Sequence, residues 1–282
     1  MSLAPDPVLL DVSPDGVAVI TLNRPAKRNA FDESMIAGLS EHFETLKGAD
    51  HVRVVFLRGA GESFCAGADI DWMRRGGERT EEDNTRDALD LARMLRHLHD
   101  LPQLTVALAH GAAMGGGAGL IAACDVAVAV KDTKFRFSEV RLGLTPATIS
   151  PYVVEAIGPR WAKALFATAE GFDGVFAEKI GLVQYAVEDE AALNGMMKHL
   201  AGLAFAAAPG AVSDAKALVR YLIDDATRLR NAVLPAQLVP GHVIDEDLMK
   251  ETAKRIAARR ASAEGKEGLA AFLEKRKPEW NS

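Results

Sequence analysis

Four short apolar runs, separated by segments with helical periodicity, constrain the fold of this 282-residue chain most strongly. The runs are apolar on both faces, as buried strands are, and they cover residues 16–22, 52–57, 104–109 and 125–130. Between them, residues 32–46 and 86–100 place apolar side chains three or four positions apart, which is typical of amphipathic helices. Strands that alternate with helices in this order predict an α/β fold.

Beyond about residue 160 the pattern becomes helical, and no convincing strand follows Val212. We therefore expect a mixed core over residues 1–205 and a helical C-terminal region over residues 206–282. A charged segment, residues 74–87, lies between a turn and the second predicted helix. Its glycines and mixed charges predict either a solvated mobile loop or a lid that shapes the substrate site.

The composition argues against several classes of protein. The net charge is −6, and no run of five or six basic residues marks a nucleic-acid partner. No apolar run approaches the roughly 20 residues of a membrane-spanning helix, and the N-terminus lacks a signal-peptide pattern. The two cysteines, Cys65 and Cys124, form no CxxC motif, so neither a disulfide framework nor a zinc site is indicated. We expect a soluble cytoplasmic protein without a bound metal.

A glycine-rich stretch, AHGAAMGGGAGL, follows the third strand at residues 109–120. It lacks the lysine of a P-loop, the spacing of a dinucleotide fingerprint and the serine of a nucleophile elbow. What remains is a set of backbone N–H groups at the start of a helix, which bind oxyanions well, although tight packing explains the glycines equally. A second small-residue loop, SFCAGAD at residues 63–69, follows the second strand. Two N–H groups from two such loops can form an oxyanion hole.

Several segments share an order and a spacing: NRPAKRNAF (23–31), SFCAGADI (63–70), HGAAMGGGAGL (110–120), CD (124–125), FRFSEVRLGLTP (135–146), EKIGLVQYAV (178–187) and GLAAFLEKRKPEW (268–280). Together they resemble the crotonase superfamily, the enoyl-CoA hydratase/isomerase family. The resemblance implies a spiral of repeated ββα units, and a C-terminal helical region that takes part in trimerisation. It also implies a homotrimer, or a hexamer built as a dimer of trimers. Its substrates would be coenzyme A thioesters, with no further cofactor, because coenzyme A is part of the substrate.

The resemblance also assigns site residues by position. The backbone N–H groups of Ala68 and Gly116 would hold the thioester oxygen as it becomes an enolate. Substrate contacts are implied for Ala26, Lys27, Arg28, Ala66, Asp69, Ile70, Gly115, Gly119, Phe272 and Lys275. For Lys27 and Arg28 the alternative is a solvated turn. For Phe272 and Lys275 it is an ordinary amphipathic helix.

Hydratases of this family use two glutamates, and this chain matches only the second, Glu139; position 119, where the first would stand, is glycine. We expect Glu139 to be the catalytic acid/base, with its pKa raised by apolar surroundings. Ser138 either orients this carboxyl group or only shapes the turn. Gly119 costs about 1 kcal/mol of helix stability relative to alanine, which packing against a neighbour or room for a bulkier acyl group would offset. A single glutamate also suits an isomerase.

The segments at residues 29–32, 68–75 and 138–158 resemble bacterial members that act as methylglutaconyl-CoA and isohexenylglutaconyl-CoA hydratases. Such a substrate has a second carboxylate, for which Arg74, Arg75 and Arg141 are candidate partners. We therefore expect an enoyl-CoA hydratase of the methylglutaconyl type. The alternatives are a Δ3–Δ2 enoyl-CoA isomerase and a non-catalytic acyl-CoA-binding scaffold.

Overall fold

The computed structural model describes residues 6–77, 79–233, 250, 254–256, 258 and 262–281. The chain divides into two compact units, Met1–Ala201 and Gly202–Ser282. In the described part of the chain, no helix is long and apolar enough to cross a membrane. Among the same residues, no group of three or more His, Cys, Asp or Glu side chains is placed to hold a metal ion.

The first unit is built on a six-stranded sheet in the order β1-β2-β3-β4-β6-β8. In chain order the strands are β1 (Val8–Val12), β2 (Val17–Leu22), β3 (Val54–Gly59), β4 (Leu104–Ala109), β5 (Ala112–Met114), β6 (Val126–Val130), β7 (Lys134–Arg136) and β8 (Tyr185–Val187). Strand β1 runs antiparallel to β2, and the other neighbours in this sheet are parallel. One row of the register joins Val19, Phe56, Val106 and Val126 across four strands. The sheet is therefore apolar from strand to strand at its centre.

Helices connect these strands and follow them: α1 (Glu33–Lys47), α2 (Ile70–Gly77), α3 (Glu81–His99), α4 (Gly116–Ala123), α5 (Ser150–Thr168), α6 (Gly174–Ile180), α7 (Glu190–Ala206), α8 (Pro209–Val233) and α9 (Ala263–Glu274). Single 3₁₀ turns occupy Pro25–Lys27, Glu139–Leu142 and Glu279–Asn281. Asp32 and Thr80 cap α1 and α3, because their side chains accept hydrogen bonds from Met35 N–H and Asp83 N–H. Helix α5 bends at Gly158, whose φ is 73°, just before Pro159.

A second, two-stranded sheet pairs β5 with β7 in parallel and brings the predicted loops together. Its register places Ala113 opposite Phe135, and a further bridge joins Ala113 to Cys65. Cys65 N–H donates to Ala112 C=O at 3.0 Å, and Met114 N–H donates to Cys65 C=O at 2.9 Å. The SFCAGAD loop and the glycine-rich stretch therefore lie side by side.

The predicted α/β class is correct, and the four apolar runs form β2, β3, β4 and β6. The prediction missed β5, β7 and β8, which have only three residues each, and it also missed β1. The expected loop at residues 74–87 is wrong for most of its length. Helix α2 continues to Gly77 and α3 begins at Glu81, because Thr80 caps α3 and Arg79 pairs with Glu33 at 3.0 Å.

Candidate active site

A short parallel bridge between Phe31 and Ala68 sets the direction of one backbone N–H group. Phe31 N–H donates to Gly67 C=O at 2.7 Å, and Asp69 N–H donates to Phe31 C=O at 2.8 Å. These bonds lie on either side of Ala68, so its own N–H points away from Phe31. In the described part of the chain, no group accepts a hydrogen bond from Ala68 N–H. This donor is therefore available to a ligand.

Gly116 supplies a second donor because it is the first residue of α4. The first N–H groups of a helix have no partner within it. The preceding residue, Gly115, adopts φ 48°, and its N–H donates to Arg136 C=O at 2.9 Å. A side chain at Gly116 would come within 2.7 Å of the Phe31 ring. Phe31 thus contacts both loops, which explains why bare backbone is needed here.

Glu139 begins the 3₁₀ turn that follows β7, and its carboxyl group lies against Gly115. A methyl group built on Gly115 would come 3.0 Å from Glu139 Oε1. Among the described residues, no group forms a hydrogen bond with Glu139 Oε2, which is buried. Burial raises the pKa of Glu139, and the backbone N–H of the same residue offsets part of this effect. The site therefore contains a carboxyl group suited to proton transfer beside Gly116.

Gly119 packs against Ile149, which corrects one explanation for this glycine. A Cβ on Gly119 would lie 2.8 Å from Ile149 Cβ and closer still to Ile149 Cγ2. Ile149 is itself buried, with 2% of its surface exposed. Of the two explanations for Gly119, the space that a larger acyl group would need is filled by this side chain, and close packing accounts for the glycine.

The turn before α1 is held by a polar network that the sequence analysis missed. Asn29 is fully buried, and its Nδ2 donates to the C=O groups of Ala60 and Ser63 at 2.8 Å each. The backbone N–H of Arg24 donates to Asn29 Oδ1 at 2.9 Å, and Arg24 Nη2 lies 2.8 Å from Asp32. The available signal was the asparagine inside the NRPAKRNAF segment, because asparagine tolerates the left-handed backbone that it adopts here, with φ 56°.

Asp69 belongs to the same network and is more deeply buried than its predicted role in substrate binding suggests. Burial raises its pKa, but hydrogen bonds from the N–H groups of Asp71 and Trp72, with Lys27 and Arg24 nearby, lower it further than burial raises it. The net pKa lies below its ordinary value. Asp69 therefore anchors the start of α2 to the turn at Arg24, which its Oδ2 contacts at 3.1 Å.

The predicted coenzyme A contacts of the first unit are close together. Ala26, Lys27 and Arg28 form an exposed turn, and Arg28 C=O accepts a hydrogen bond from Ala66 N–H at 2.9 Å. Ile70 is 76% exposed on the first turn of α2. Ala66 and Ile70 lie two residues before and two residues after Ala68, whose N–H has no partner among the described residues.

Phe272 and Lys275 lie in the second unit. Phe272 is 78% exposed on α9, and Lys275 ends that helix in the left-handed conformation, with φ 54°. Their contact with coenzyme A stays a prediction.

The three candidate arginines differ in what they bind. Arg75 donates to both carboxylate oxygens of Glu33, at 2.8 and 3.1 Å, and Arg74 lies 3.2 Å from Asp71. Arg141 is exposed on the same 3₁₀ turn as Glu139 and pairs with no carboxylate in the described residues. Within the same residues, Ser138 forms no hydrogen bond with Glu139.

The chain is similar in sequence and in fold to known proteins. The profile of the enoyl-CoA hydratase/isomerase family matches residues 13–282. The crystal structure of an enoyl-CoA hydratase from Shewanella pealeana superposes with a TM-score of 0.88 at 36% identity, covering 97% of this chain and 96% of that chain.

Two further relatives differ from each other in the activity that their names state. Enoyl-CoA hydratase ACTT6 of Alternaria alternata is 32% identical over 80% of this chain and 75% of its own length. The 1,2-epoxyphenylacetyl-CoA isomerase of Escherichia coli is 29% identical over 94% of this chain and 95% of its own length. With the family profile covering nearly the whole chain, this protein belongs to the enoyl-CoA hydratase/isomerase family and has the crotonase fold.

Proposed function

We propose that this protein is an enoyl-CoA hydratase in which Glu139 transfers the protons while Ala68 N–H and Gly116 N–H bind the thioester oxygen. One observation supports this most directly. Glu139 has a buried oxygen without a hydrogen-bond partner among the described residues, and its carboxyl group lies against the residue that precedes Gly116. A buried proton acceptor beside a free N–H donor is the arrangement that enolate chemistry requires.

The proposed reaction adds water across the α,β double bond of an enoyl thioester. The water oxygen bonds to Cβ while the Glu139 carboxylate accepts a proton from that water. The π electrons of the double bond move toward the thioester carbonyl, which becomes an enolate held by the two N–H groups. The protonated Glu139 then returns its proton to Cα, so that a 3-hydroxyacyl thioester forms and the carboxylate is restored. Each N–H donor of this kind contributes about 3 kcal/mol to transition-state binding.

The substrate we propose is a glutaconyl-type thioester with a second carboxylate. Arg141 supports this proposal, because it is exposed near Glu139 and has no carboxylate partner among the described residues. The exposed turn at residues 26–28, with Ala66 and Ile70, would contact coenzyme A. Phe272 and Lys275 would also contact coenzyme A. The C-terminal region to which they belong would mediate trimer or hexamer contacts.

A second candidate function is Δ3–Δ2 enoyl-CoA isomerisation. The packing of Gly119 against Ile149 favours it, because it leaves one carboxyl group where a two-glutamate hydratase has two. In this reaction Glu139 would take a proton from C2 of a 3-enoyl thioester and return it to C4. The name of the Escherichia coli relative supports isomerase chemistry in this family.

Turnover of three thioesters by the purified full-length protein tests these proposals. Hydration of 3-methylglutaconyl-CoA faster than crotonyl-CoA would support the proposed substrate. Conversion of a 3-enoyl-CoA without hydration would establish the isomerase instead. If calorimetry shows binding of all three thioesters but none is converted, the protein is a scaffold and the proposed function is wrong.

A further inference from the structure

Gly119 and Ile149 are packed so closely that a substitution at either position would change the contact between them. Gly119 is buried on α4, and its N–H donates to Gly115 C=O at 3.0 Å within the first turn of that helix. Ile149 stands just before α5, and its side chain occupies the space where a Cβ on Gly119 would lie. The two residues are thirty positions apart in the chain, so only the packing of α5 against α4 brings them together.

The position of Ile149 is well fixed. Its C=O accepts a hydrogen bond from Val153 N–H at 3.1 Å, and Ser150 N–H donates to Ala147 C=O at 3.3 Å. Ile149 is 2% exposed and belongs to the main apolar core. Since it sits at the start of a nineteen-residue helix, its side chain cannot yield to a larger residue at position 119 without disturbing this packing.

Ile149 and Glu139 each contact one glycine at the start of α4. Gly119 N–H donates to Gly115 C=O, so the two glycines are one helical turn apart, about 6 Å along the helix axis. Glu139 packs against the first of these glycines and Ile149 against the second. Ile149 and the carboxyl group of Glu139 therefore contact two backbone positions that are one helical turn apart.

We propose that Ile149 is a positioning residue of this site: it closes the α4 position at which a second carboxylate would stand, and it keeps water away from the carboxyl group of Glu139. Glu139 then performs both proton transfers of the reaction. This inference rests on the proposed role of Glu139, and it assigns the one-carboxylate chemistry to a packing contact rather than to the loss of a side chain alone.

The pKa of Glu139 is a suitable measure of this proposal, because few groups act on it. Burial is the main cause of its raised pKa, and its own backbone N–H acts in the opposite direction. In the described residues, no cationic side chain pairs with Glu139. The charged residues nearest to it in the chain are Arg136 and Arg141. Helix α5 packs against the same 3₁₀ turn and carries Glu155, Arg160 and Lys163, whereas α4 carries no charged side chain, since that helix reads GGAGLIAA. Ile149 is therefore a positioning residue whose removal should be read out at Glu139.

The first test is the pKa of Glu139 measured directly by ¹³C NMR titration of full-length protein labelled at glutamate carboxyl carbons, with Glu139→Gln used to assign the signal. Ile149→Ala should shift this pKa down toward the ordinary value of 4.5, because water gains access to the carboxyl group. Leu165→Ala is the matched control: Leu165 is equally buried on α5, at 2% exposure, but lies beyond the bend at Gly158. An unchanged pKa in Ile149→Ala, or an equal shift in the control, would overturn the proposal.

The second test opens the closed position. Gly119→Glu alone should lower the melting temperature by about 4 °C or more, because Ile149 obstructs the new side chain. Ile149→Gly should lower the melting temperature less in the Gly119→Glu background than in the parent. The double variant should also hydrate crotonyl-CoA faster than Ile149→Gly alone. Additive losses of stability in this cycle would refute the obstruction. If the parent protein converts no thioester, the proposed function fails, while the melting temperatures and the NMR titration still decide the role of Ile149.

Discussion

The carboxyl group of Glu139 lies against Gly115, so close that a methyl group on this glycine would come within 3.0 Å of Oε1. Gly115 directly precedes Gly116, whose N–H is the first of α4 and has no partner within that helix. The carboxyl group that we propose to transfer the protons therefore lies against the residue that precedes one of the two proposed oxyanion donors. Because the Gly115 N–H is bonded to Arg136 C=O, the segment that ends at Glu139 and the start of α4 are held together.

Replacing Glu139 by glutamine should reduce turnover by about 10²-fold to 10⁴-fold, because the amide cannot accept and return a proton. Thioester binding should persist, since the shape of the side chain is retained. Steady-state rates and calorimetric titration measure the two effects separately. Glu62→Gln, at an exposed position, is the control and should match the parent. A near-normal rate in Glu139→Gln would remove this residue from the mechanism.

The raised pKa of Glu139 predicts that Glu139→Gln gains stability relative to the parent as pH rises. Between pH 4.5 and the raised folded value, the native state binds more protons than the unfolded state, so the free energy of unfolding of the parent falls as pH rises. Glutamine does not titrate and lacks this loss. The melting temperature of Glu139→Gln relative to the parent should therefore be higher at pH 8 than at pH 4. A difference that does not change with pH contradicts burial of this carboxyl group.

A methyl group at Gly116 should disrupt the oxyanion donor. In Gly116→Ala the new Cβ would lie 2.7 Å from the Phe31 ring, so either the ring or the N–H must move. We expect turnover to fall by about 10²-fold to 10³-fold, as when one oxyanion donor is lost. Gly195→Ala is the control, because a Cβ at this exposed position in α7 meets no atom within 4 Å. That control should gain up to about 1 kcal/mol of stability, whereas full activity in Gly116→Ala would contradict the assignment.

Asp69 should matter more for stability than its neighbour Asp71. Asp69→Asn breaks the contact with Arg24 in a buried setting, with 5% of the aspartate side chain exposed, and should cost about 3 kcal/mol. Asp71→Asn removes exposed pairs and should cost less than about 1 kcal/mol. Since the pKa of Asp69 is lowered, its contribution is present above pH 3.8 and is lost as pH falls through the folded value. Urea unfolding at pH 7 and pH 3 measures both effects, and equal losses in the two variants would contradict the network.

Arg141 should select for the second carboxylate of the substrate. Arg141→Ala is expected to raise KM for 3-methylglutaconyl-CoA by about tenfold or more, as expected when a charge-assisted hydrogen bond is removed, and to leave KM for crotonyl-CoA unchanged. Arg75→Ala is the comparison, because Arg75 is already bound to Glu33 and should affect both substrates alike. Equal changes for the two substrates in Arg141→Ala would exclude its selective role.

The sequence predicted those parts of the fold that depend on neighbours along the chain. The apolar runs identified β2, β3, β4 and β6, and periodicity identified α1 and α3. The strands β5, β7 and β8 escaped prediction because three residues contain no period that distinguishes a strand from a loop. The 74–87 segment was misread because its charges suggested solvent, whereas the Thr80 hydroxyl group caps α3 and Arg79 pairs with Glu33 of α1.

What the sequence by itself determined is the inventory of the site: two small-residue loops, one glutamate at position 139 and a glycine at position 119, in a known family order. Only the tertiary structure decided what surrounds them. Ile149 fills the space beside Gly119, Arg75 is already paired with Glu33, and Glu139 Oε2 is buried without a partner in the described residues. The physical reason is that these properties depend on side chains that are distant in the chain, and their contacts exist only once the sheet and helices have packed.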